Sequence, residues 1–541
     1  MNNIIDEKFF RKDKRFSKVI ILFISIGILL RTFHYLYNRS LWMDEIYLSA
    51  GLLHMNFLEL ASEAMDYGQK APIGFLWLVK LPMTLMGNSE MILRLVPYIA
   101  GIISLVLYAK VCRSFLKPTG QLIAVAILAF SPAMIYHTVE IKQYSTECLA
   151  TIVALYLYIR YRDNSHWKEN IAWGIFGAIS LWFSFSVIFI LAGIACGISL
   201  HHLLKKDWRH LFYNAVPFIM WLLSFVINYI FFTHKHAESD WVVYFFKTYD
   251  NFMPFPPESI AQLKWFPRNF IDMMDYPLGL VWNLKAFSGN VLIKLLAIPL
   301  LPIILFFKGL YALFNHKRRD FYALVFPVVF MLLASGIYLY PLLERFWVFI
   351  APVFIIFIAT GSEFLLNRIK TVSLATALLL LIIIGPVVQS AYSITHPQYF
   401  YKHKKSFERE SLSYINDHFQ SGDAVYNYWN NAPGFMVYKQ IMPFKFTAVE
   451  GRDFRKLSGG LTDYNRNLAQ DFTKFNGKKR VWVIYNTQFT TDIGDKVDDP
   501  LWYYKNKLSP AENLELQLNK IGKQVQKISR PDVTICLYEL K

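Results

Sequence analysis

Two adjacent carboxylates, Asp44 and Glu45, lie directly beyond the first hydrophobic segment of this chain, in the stretch "RSLWMDEIYLSAG". Charged side chains beside an apolar segment cost free energy unless they pair, reach water or take part in chemistry. A carboxylate at such a place can accept the proton of an attacking hydroxyl group. It can equally be structural, because Asp44 is a suitable N-cap for the next helix and Glu45 suits the positive end of that helix. Both roles are open at this point.

Further charged and polar residues follow the same arrangement at the ends of apolar segments. They are Lys70 in "DYGQKAPIGF", then Glu140, Lys142, Tyr144 and Glu147 in "HTVEIKQYSTE", and Glu344 and Arg345 in "YPLLERFWVFIAP". Cations among them can stabilise a departing phosphate, so the set suits a reaction with an anionic, lipid-borne leaving group. Structural roles are the alternative. Lys70 can extend from the lipid to the interface. Lys142 can pair with Glu140 or Glu147, and Arg345 can pair with Glu344 or lipid phosphate.

The composition indicates that membrane-spanning helices must position these residues. Of 541 residues, 55% are hydrophobic and 18% are charged, whereas soluble domains have about 25% charged residues. A spanning helix needs about 20 apolar residues, and by this criterion we predict about eleven spans. They lie near residues 17–37, 91–112, 119–137, 145–161, 170–184, 186–204, 211–233, 291–314, 321–341, 345–366 and 372–395, with a tight turn near Phe183–Ser186 between the fifth and the sixth.

The distribution of charge predicts the topology. Loops such as "HHLLKKDWRH" and "KGLYALFNHKRRD" are rich in Lys and Arg, whereas residues 38–90 are acidic. Because basic loops stay in the cytoplasm, we place the N-terminus inside and residues 38–90 and 234–290 outside. The basic N-terminus lacks a small-residue cleavage site, which indicates an uncleaved first span. In a membrane protein the net charge of +17 does not indicate a nucleic-acid partner.

The region 396–541 has a different character. The stretches "DAVYNYW", "KRVWVIYN" and "VTICLYEL" are typical of strands, and "PAENLELQLNKIG" is typical of a helix that stops at Gly522. The predicted fold class is therefore a polytopic α-helical membrane protein, residues 1–395, with a small α/β extracytoplasmic domain at 396–541. A bacterial inner membrane, with this domain in the periplasm, is the expected location.

Few sequence patterns in this chain indicate a metal site or a disulfide. "HKH" at 234–236, near Glu238 and Asp240, could bind a divalent ion, but a solvated loop explains the same residues. His201 and His202 are interpreted as an ordinary interfacial pair. The cysteines, Cys112, Cys148, Cys196 and Cys536, have no spacing typical of a metal site or a disulfide framework.

Four stretches in this order resemble the GT-C glycosyltransferases. They are the aromatic-flanked "DE" after the first span, "QKAPIGFLWL", "EIKQYSTE" and "ERFWVFIAP". The branch that they resemble is glycosyltransferase family 39 and its relatives, which include protein O-mannosyltransferases and the lipid A aminoarabinose transferase. The resemblance covers most of residues 17–395.

The resemblance implies roles for individual residues. Asp44 corresponds to the catalytic carboxylate, with Glu45 as its neighbour, and Lys70 to the lysine that contacts the donor phosphate. "KAP" stands here where the family has lysine and two prolines. The remaining correspondences are Lys142 and Tyr144 as further contacts of the donor phosphate, Arg345 as another, and Glu147 and Glu344 as additional candidates. Lysine and glutamine stand where many relatives have arginine in the element that contains Lys142.

The implied activity is that of a hexosyl- or pentosyltransferase that uses a sugar on polyprenyl phosphate. A single displacement would invert the anomeric centre, with Asp44 as the base. The acceptor could be a lipid, a glycan or a protein, and a divalent ion is possible because relatives differ in their need for one. The alternatives are a transporter or flippase of lipid-linked sugars and a membrane scaffold. Charged residues at one face favour the enzyme, because transporters usually place them near the midplane.

Overall fold

We analysed a computed structural model, which describes residues 13–163, 166–233, 240–281, 299–369, 371–400, 405–487, 500–505 and 510–541. The part that precedes residue 400 is helical. Its helices are α1 Asp13–Tyr37, α2 Met43–His54, α3 Glu59–Ser62, α4 Ile73–Met86, α5 Glu90–Phe115, α6 Pro118–Phe130, α7 Pro132–Tyr136, α8 Tyr144–Tyr161, α9 Trp167–Phe183, α10 Val187–Leu204, α11 Trp208–Asn228, α12 Asp240–Thr248, α13 Ile260–Asp275, α14 Leu300–His316, α15 Arg318–Gly336, α16 Ala351–Leu366 and α17 Val372–Thr395.

A helix lies in the described part of each predicted span, and residues 291–298 of the eighth lie outside the described residues. Fewer of these helices are long and apolar enough to cross a membrane alone. Among the described residues, 6 helices are long and apolar enough, or up to 7 if the bent pair α6–α7 is one span. Three shorter apolar helices, α4, α14 and α16, add to the bundle. The predicted turn near Phe183–Ser186 is confirmed, because α9 ends at Phe183 and α10 begins at Val187. The count of about eleven spans stays a prediction.

The third predicted span is broken rather than continuous. Residues Pro118–Phe130 and Pro132–Val139 form two helical pieces that are bent by 54°. Such a break leaves carbonyl groups at the end of α6 without helical partners. Arg31 of α1, which is 2% exposed, donates to the carbonyl oxygens of Leu128 and Ala129 at 3.0 Å each. A buried charge inside the bundle therefore completes the hydrogen bonds of the break.

The region after α17 contains a mixed five-stranded sheet with flanking helices. Its elements are α18 Glu408–His418, β1 Ala424–Asn427, α19 Ala432–Ile441, β2 Ala448–Glu450, α20 Leu461–Phe472, β3 Arg480–Asn486, α21 Leu501–Lys505, α22 Pro510–Ile521, β4 Gly522–Ser529 and β5 Val533–Leu540. The strand order is β2-β1-β3-β5-β4. β1 is parallel to β2 and β3, whereas β5 is antiparallel to β3 and β4.

Three of the five strands and the last helix agree with the sequence analysis. β1, β3 and β5 are the predicted apolar strands, and α22 is the predicted helix. The prediction of Gly522 as a simple helix stop was incomplete, since Gly522 also opens β4. After Gly522, β4 alternates exposed and half-buried residues at the edge of the sheet. The domain boundary at residues 395 and 396 stays a prediction, and α19 packs directly against α2 of the first long loop.

Candidate active site

Asp44 forms an ion pair with Arg345, and both side chains remain partly open. The Oδ2 atom of Asp44 lies 2.8 Å from Nη1 of Arg345, and the side chains are 24% and 21% exposed. Asp44 belongs to the first turn of α2, whose N-cap is Trp42. The alternative in which Asp44 caps this helix was therefore wrong. Since the chain approaches in an extended conformation and turns helical at Met43, the Asp44 side chain projects from the start of the helix.

Glu45 is placed very differently from its neighbour. Its side chain is fully buried, and Arg94 binds it with two hydrogen bonds of 2.9 Å each. Arg39 lies 3.1 Å from the Oε2 atom, and backbone N–H groups of Ile141 and Trp42 donate at 3.0 and 3.2 Å. Both oxygens thus have several donors. The expectation that Glu45 acts beside a catalytic carboxylate does not fit this environment, whereas its expected stabilisation of the helix N-terminus does.

Arg345 lies in the short helical turn Glu344–Trp347, between α15 and α16. Its pairing with Asp44 replaces the alternative pairing with Glu344, whose side chain is exposed. The Nε atom of Arg345 is buried and has no hydrogen-bond partner within the described residues. Because a guanidinium carries five N–H donors and stays charged, Arg345 retains donors for an anion while it holds Asp44.

Lys70 and Lys142 lie on two loops that touch. Lys142 is 5% exposed, and its ammonium donates to Oε1 of Gln69 at 2.5 Å. Lys70 is half-buried and makes no hydrogen bond or ion pair with another described residue. Burial lowers the pKa of the Lys70 ammonium. Tyr67 precedes it in a left-handed conformation, with φ of 54°, so the loop turns sharply just before this lysine.

The segment after α7 carries a hydrogen-bonded chain that the sequence analysis did not predict. Glu140 accepts from Nε1 of Trp42 at 2.9 Å and contacts Nδ1 of His137 at 2.5 Å. The other ring nitrogen of His137 contacts the hydroxyl of Tyr276. Tyr144, which begins α8, is buried with its ring 5.0 Å from the His137 ring, edge to face. The spacing of His137 and Glu140, three residues apart, was a visible signal, but the contribution of Tyr276 was not.

Glu147 serves a different part of the structure. It is buried in the first turn of α8 and hydrogen-bonds to the side chain of Ser186 and to backbone groups of Phe185 and Ser186. These residues form the turn between α9 and α10. The contacts of Glu147 therefore fix that turn and include neither Asp44 nor Arg345.

A metal-type cluster among the described residues lies elsewhere, at the turn between α10 and α11. It consists of His202, Asp207 and His210. Asp207 accepts from the backbone N–H of His210 at 3.3 Å as the N-cap of α11. The positive helix N-terminus and the adjacent Lys205 and Lys206 disfavour a cation there. The stretch "HKH" lies outside the described residues, and the four cysteines are unpaired.

Known proteins resemble this chain in one segment and in overall fold. Residues 70–233 match the family described as "Dolichyl-phosphate-mannose-protein mannosyltransferase". The structure of ArnT from Cupriavidus metallidurans bound to undecaprenyl phosphate is similar with a TM-score of 0.54 and 11% identity, over 96% of this chain and 97% of that chain. The apo structure gives a TM-score of 0.51 and 12% identity, over 96% of this chain and 98% of that chain. No curated protein matches the sequence.

These similarities confirm the resemblance to the GT-C glycosyltransferases that was predicted from four short stretches. The fold class is confirmed as well, as a multi-pass helical membrane protein with a small sheet region near the C-terminus. Family match and fold together indicate a membrane glycosyltransferase.

Proposed function

We propose that this protein transfers a sugar from a polyprenyl-phosphate donor to a polar acceptor at the membrane surface, with inversion at the anomeric carbon. The observation that carries the proposal is the partly open pair of Asp44 and Arg345, 2.8 Å apart. It places a potential base beside a cation with spare hydrogen-bond donors. Such a pair suits a displacement in which a proton is removed on one side and an anion departs on the other.

The bond changes assign a role to each group. The acceptor hydroxyl attacks the anomeric carbon and gives its proton to the Asp44 carboxylate. The bond from the anomeric carbon to the phosphate oxygen breaks on the opposite face, and the electron pair leaves with polyprenyl phosphate. Arg345 and Lys70 hold this phosphate, and Lys142 acts close by through Gln69. We assign Glu45 a positioning role, because both of its oxygens are bound by arginines and backbone N–H groups.

Further support comes from the relatives. The ArnT structure with a similar fold contains undecaprenyl phosphate, a phosphate on a polyprenyl chain of the kind proposed as leaving group here. The matched family is described by its use of dolichyl-phosphate mannose. We propose an inner-membrane location with residues 38–90, 234–290 and 396–541 in the periplasm. The proposed acceptor is a lipid, a glycan or a protein, and a divalent ion is a candidate cofactor of the enzyme.

The test compares wild type with Asp44→Asn in membranes supplied with radiolabelled polyprenyl-phosphate sugars. Removal of a general base is expected to lower transfer by about 10²–10⁴-fold. Asp417→Asn, on an exposed position of α18, is the matched control and should transfer like wild type. Transfer that persists in Asp44→Asn would exclude Asp44 as the base. Label that crosses the bilayer without transfer would favour the alternative, a transporter or flippase of lipid-linked sugars.

A further inference from the structure

A tyrosine of the C-terminal sheet region reaches the backbone that leads into the candidate active site. Tyr438 of α19 is fully buried. Its hydroxyl accepts from the backbone N–H of Leu41 at 2.8 Å and lies 3.0 Å from Oγ of Ser40. It donates to Oε1 of Glu90 at 2.5 Å. One hydroxyl group therefore connects the first long loop, helix α5 and the C-terminal region.

Helix α18 and the residues before it hold the same short segment from another side. The hydroxyl of Ser406 donates to the carbonyl oxygen of Leu41. The backbone N–H of Arg409 donates to Oγ of Ser40 at 3.1 Å, and its guanidinium pairs with Glu90. Both backbone hydrogen-bonding groups of Leu41 are thus bound by the C-terminal region. Since Leu41 is fully buried, water cannot replace these partners.

The contacts continue through helix α5 to the start of α2. Asn38 donates to Glu90 at 3.0 Å and accepts from Arg94 at 3.1 Å. Arg94 also donates to the carbonyl oxygen of Arg39 at 2.6 Å and binds Glu45 with both sides of its guanidinium. Glu90 and Arg94 are four residues apart and share one face of α5. The segment before α2 is therefore fixed at both of its sides.

We infer that Tyr438 is a positioning residue for the proposed transfer, and that the C-terminal region holds Asp44 in place. The inference rests on the proposed function. Leu41 is followed by Trp42, the N-cap of α2, and Asp44 is the second residue of this helix. Loss of the Tyr438 hydroxyl leaves the buried N–H of Leu41 without its acceptor and Glu90 without one donor. The turn into α2 then loosens, and the distance from Asp44 to the bound acceptor is no longer fixed.

The first experiment measures transfer kinetics of the full chain in lipid nanodiscs for wild type and Tyr438→Phe. A misplacement of a catalytic group by about 1 Å can lower the rate about 10²-fold. We expect kcat of Tyr438→Phe to fall about 10–100-fold, with the KM for the polyprenyl-phosphate donor within about twofold of wild type. A raised KM with an unchanged kcat would overturn the inference, because it would mean that donor binding is disturbed and the position of Asp44 is not.

Tyr426→Phe is the matched control. Tyr426 of β1 is also fully buried, and its hydroxyl donates to a carboxylate, Oδ2 of Asp471, at 3.2 Å within the sheet region. The same chemical change there should destabilise the region without changing kcat. An equal fall of kcat in both variants would overturn the inference, because it would reflect the stability of the region rather than the position of Asp44.

A second readout separates the inference from the proposed function. Amide hydrogen exchange of residues 41–46 should accelerate at least about tenfold in Tyr438→Phe and remain unchanged in Tyr426→Phe, because opening of this segment determines its exchange. Unchanged exchange in Tyr438→Phe would overturn the inference whatever the transfer assay shows. Absence of transfer by wild type would instead overturn the proposed function, and with it the catalytic consequence of this contact.

Discussion

Two carboxylates that are neighbours in the sequence have opposite environments in the folded protein. Asp44 is 24% exposed and has one cation beside it, whereas Glu45 is fully buried between Arg39 and Arg94. Successive residues of a helix point about 100° apart, so only one of the two can face the opening. The other is free to join the interior. Adjacent residues of the same charge therefore divide into a group available to substrate and a group that holds the helix.

This division predicts different outcomes for the two conservative amide substitutions. Glu45→Gln leaves two buried arginines without a full counter-charge, which should lower the free energy of unfolding by about 3–5 kcal/mol. Asp44→Asn removes one partner of a partly exposed ion pair, which should change it by about 1 kcal/mol at most. Chemical denaturation of the purified protein, followed by tryptophan fluorescence, measures both values. Equal destabilisation by the two variants would contradict the assignment.

Lys70 should determine the alkaline side of the pH dependence. Burial lowers the pKa of its ammonium, so the charge that we propose to hold the phosphate is lost at a lower pH than for an exposed lysine. Transfer should therefore decline as pH rises through this lowered pKa. Lys70→Arg, which stays charged, should move the decline to higher pH. The pH profile of kcat/KM for the donor measures this, and an unshifted profile would show that another group titrates.

The sequence was sufficient to select Asp44, Lys70 and Arg345 as candidates, because each stands near the end of an apolar segment, and the structure pairs two of them, Asp44 and Arg345. It could not indicate that Arg345 pairs with Asp44 rather than with the adjacent Glu344. It also could not indicate Tyr276, because this tyrosine contacts His137 across 139 residues of chain. Pairings of this kind depend on how helices pack, which no local pattern specifies.

At the scale of single elements, two acidic groups with little exposure meet at the start of α18, Glu408 of this helix and Asp532 just before β5. Glu408 is 2% exposed and accepts from Asn431 at 2.8 Å, and Asp532 accepts from the backbone N–H of Phe407 at 3.1 Å. Burial raises the pKa of Glu408 to about 8 and the pKa of Asp532 to about 6. The folded region thus favours the protonated form of both carboxyl groups.

A pH dependence of stability follows from these raised pKa values. The unfolded chain titrates near its ordinary values of about 4, so the folded region binds more protons between pH 4 and 8. Its stability is greatest at the acidic end and falls as pH rises through 6 and 8. In the full chain, hydrogen exchange at increasing denaturant concentration measures the concentration at which half of the C-terminal region is unfolded. This midpoint should rise when the pH is lowered from 8 to 5.

Glu408→Gln should flatten this dependence, because the neutral amide needs no proton. Glu539→Gln, at an exposed position of β5, is the matched control and should keep the slope of wild type. A wild-type midpoint that is constant or falls towards pH 5 would contradict the raised pKa values.

The strands of the C-terminal region show which elements a sequence specifies locally. β1, β3 and β5 are apolar runs, and burial of most of their residues explains why their pattern was clear. β4, "GKQVQKIS", is polar because it forms an edge with one side facing water. β2 has only three residues. Short or half-exposed strands obtain their conformation from pairing with a neighbour, so the sequence analysis could not find them.

At the scale of the whole molecule, the apolar segments predicted a polytopic membrane protein because burial in lipid requires long runs of apolar residues. The number of crossings was less certain from sequence. α6 and α7 form a bent pair, and α4, α14 and α16 are shorter than a standard span. Such helices are stabilised by packing against neighbours and not by length alone. The candidate site residues lie in loops and helix starts that connect several of these helices.

Arg31 also sets an order of events during biogenesis. Its carbonyl partners, Leu128 and Ala129, are synthesised about a hundred residues later, at separations of 97 and 98. An arginine at the centre of an inserted helix costs about 2.5–3.5 kcal/mol on translocon scales, and Arg31 lies towards the C-terminal end of its span. Within α1 the guanidinium has the carbonyl oxygen of Gly27 as a partner, at 3.0 Å, and its two further carbonyl partners become available when α6 arrives. We expect α1 to remain beside the translocon until α6 emerges from the ribosome, so that the insertion of the two helices is coupled.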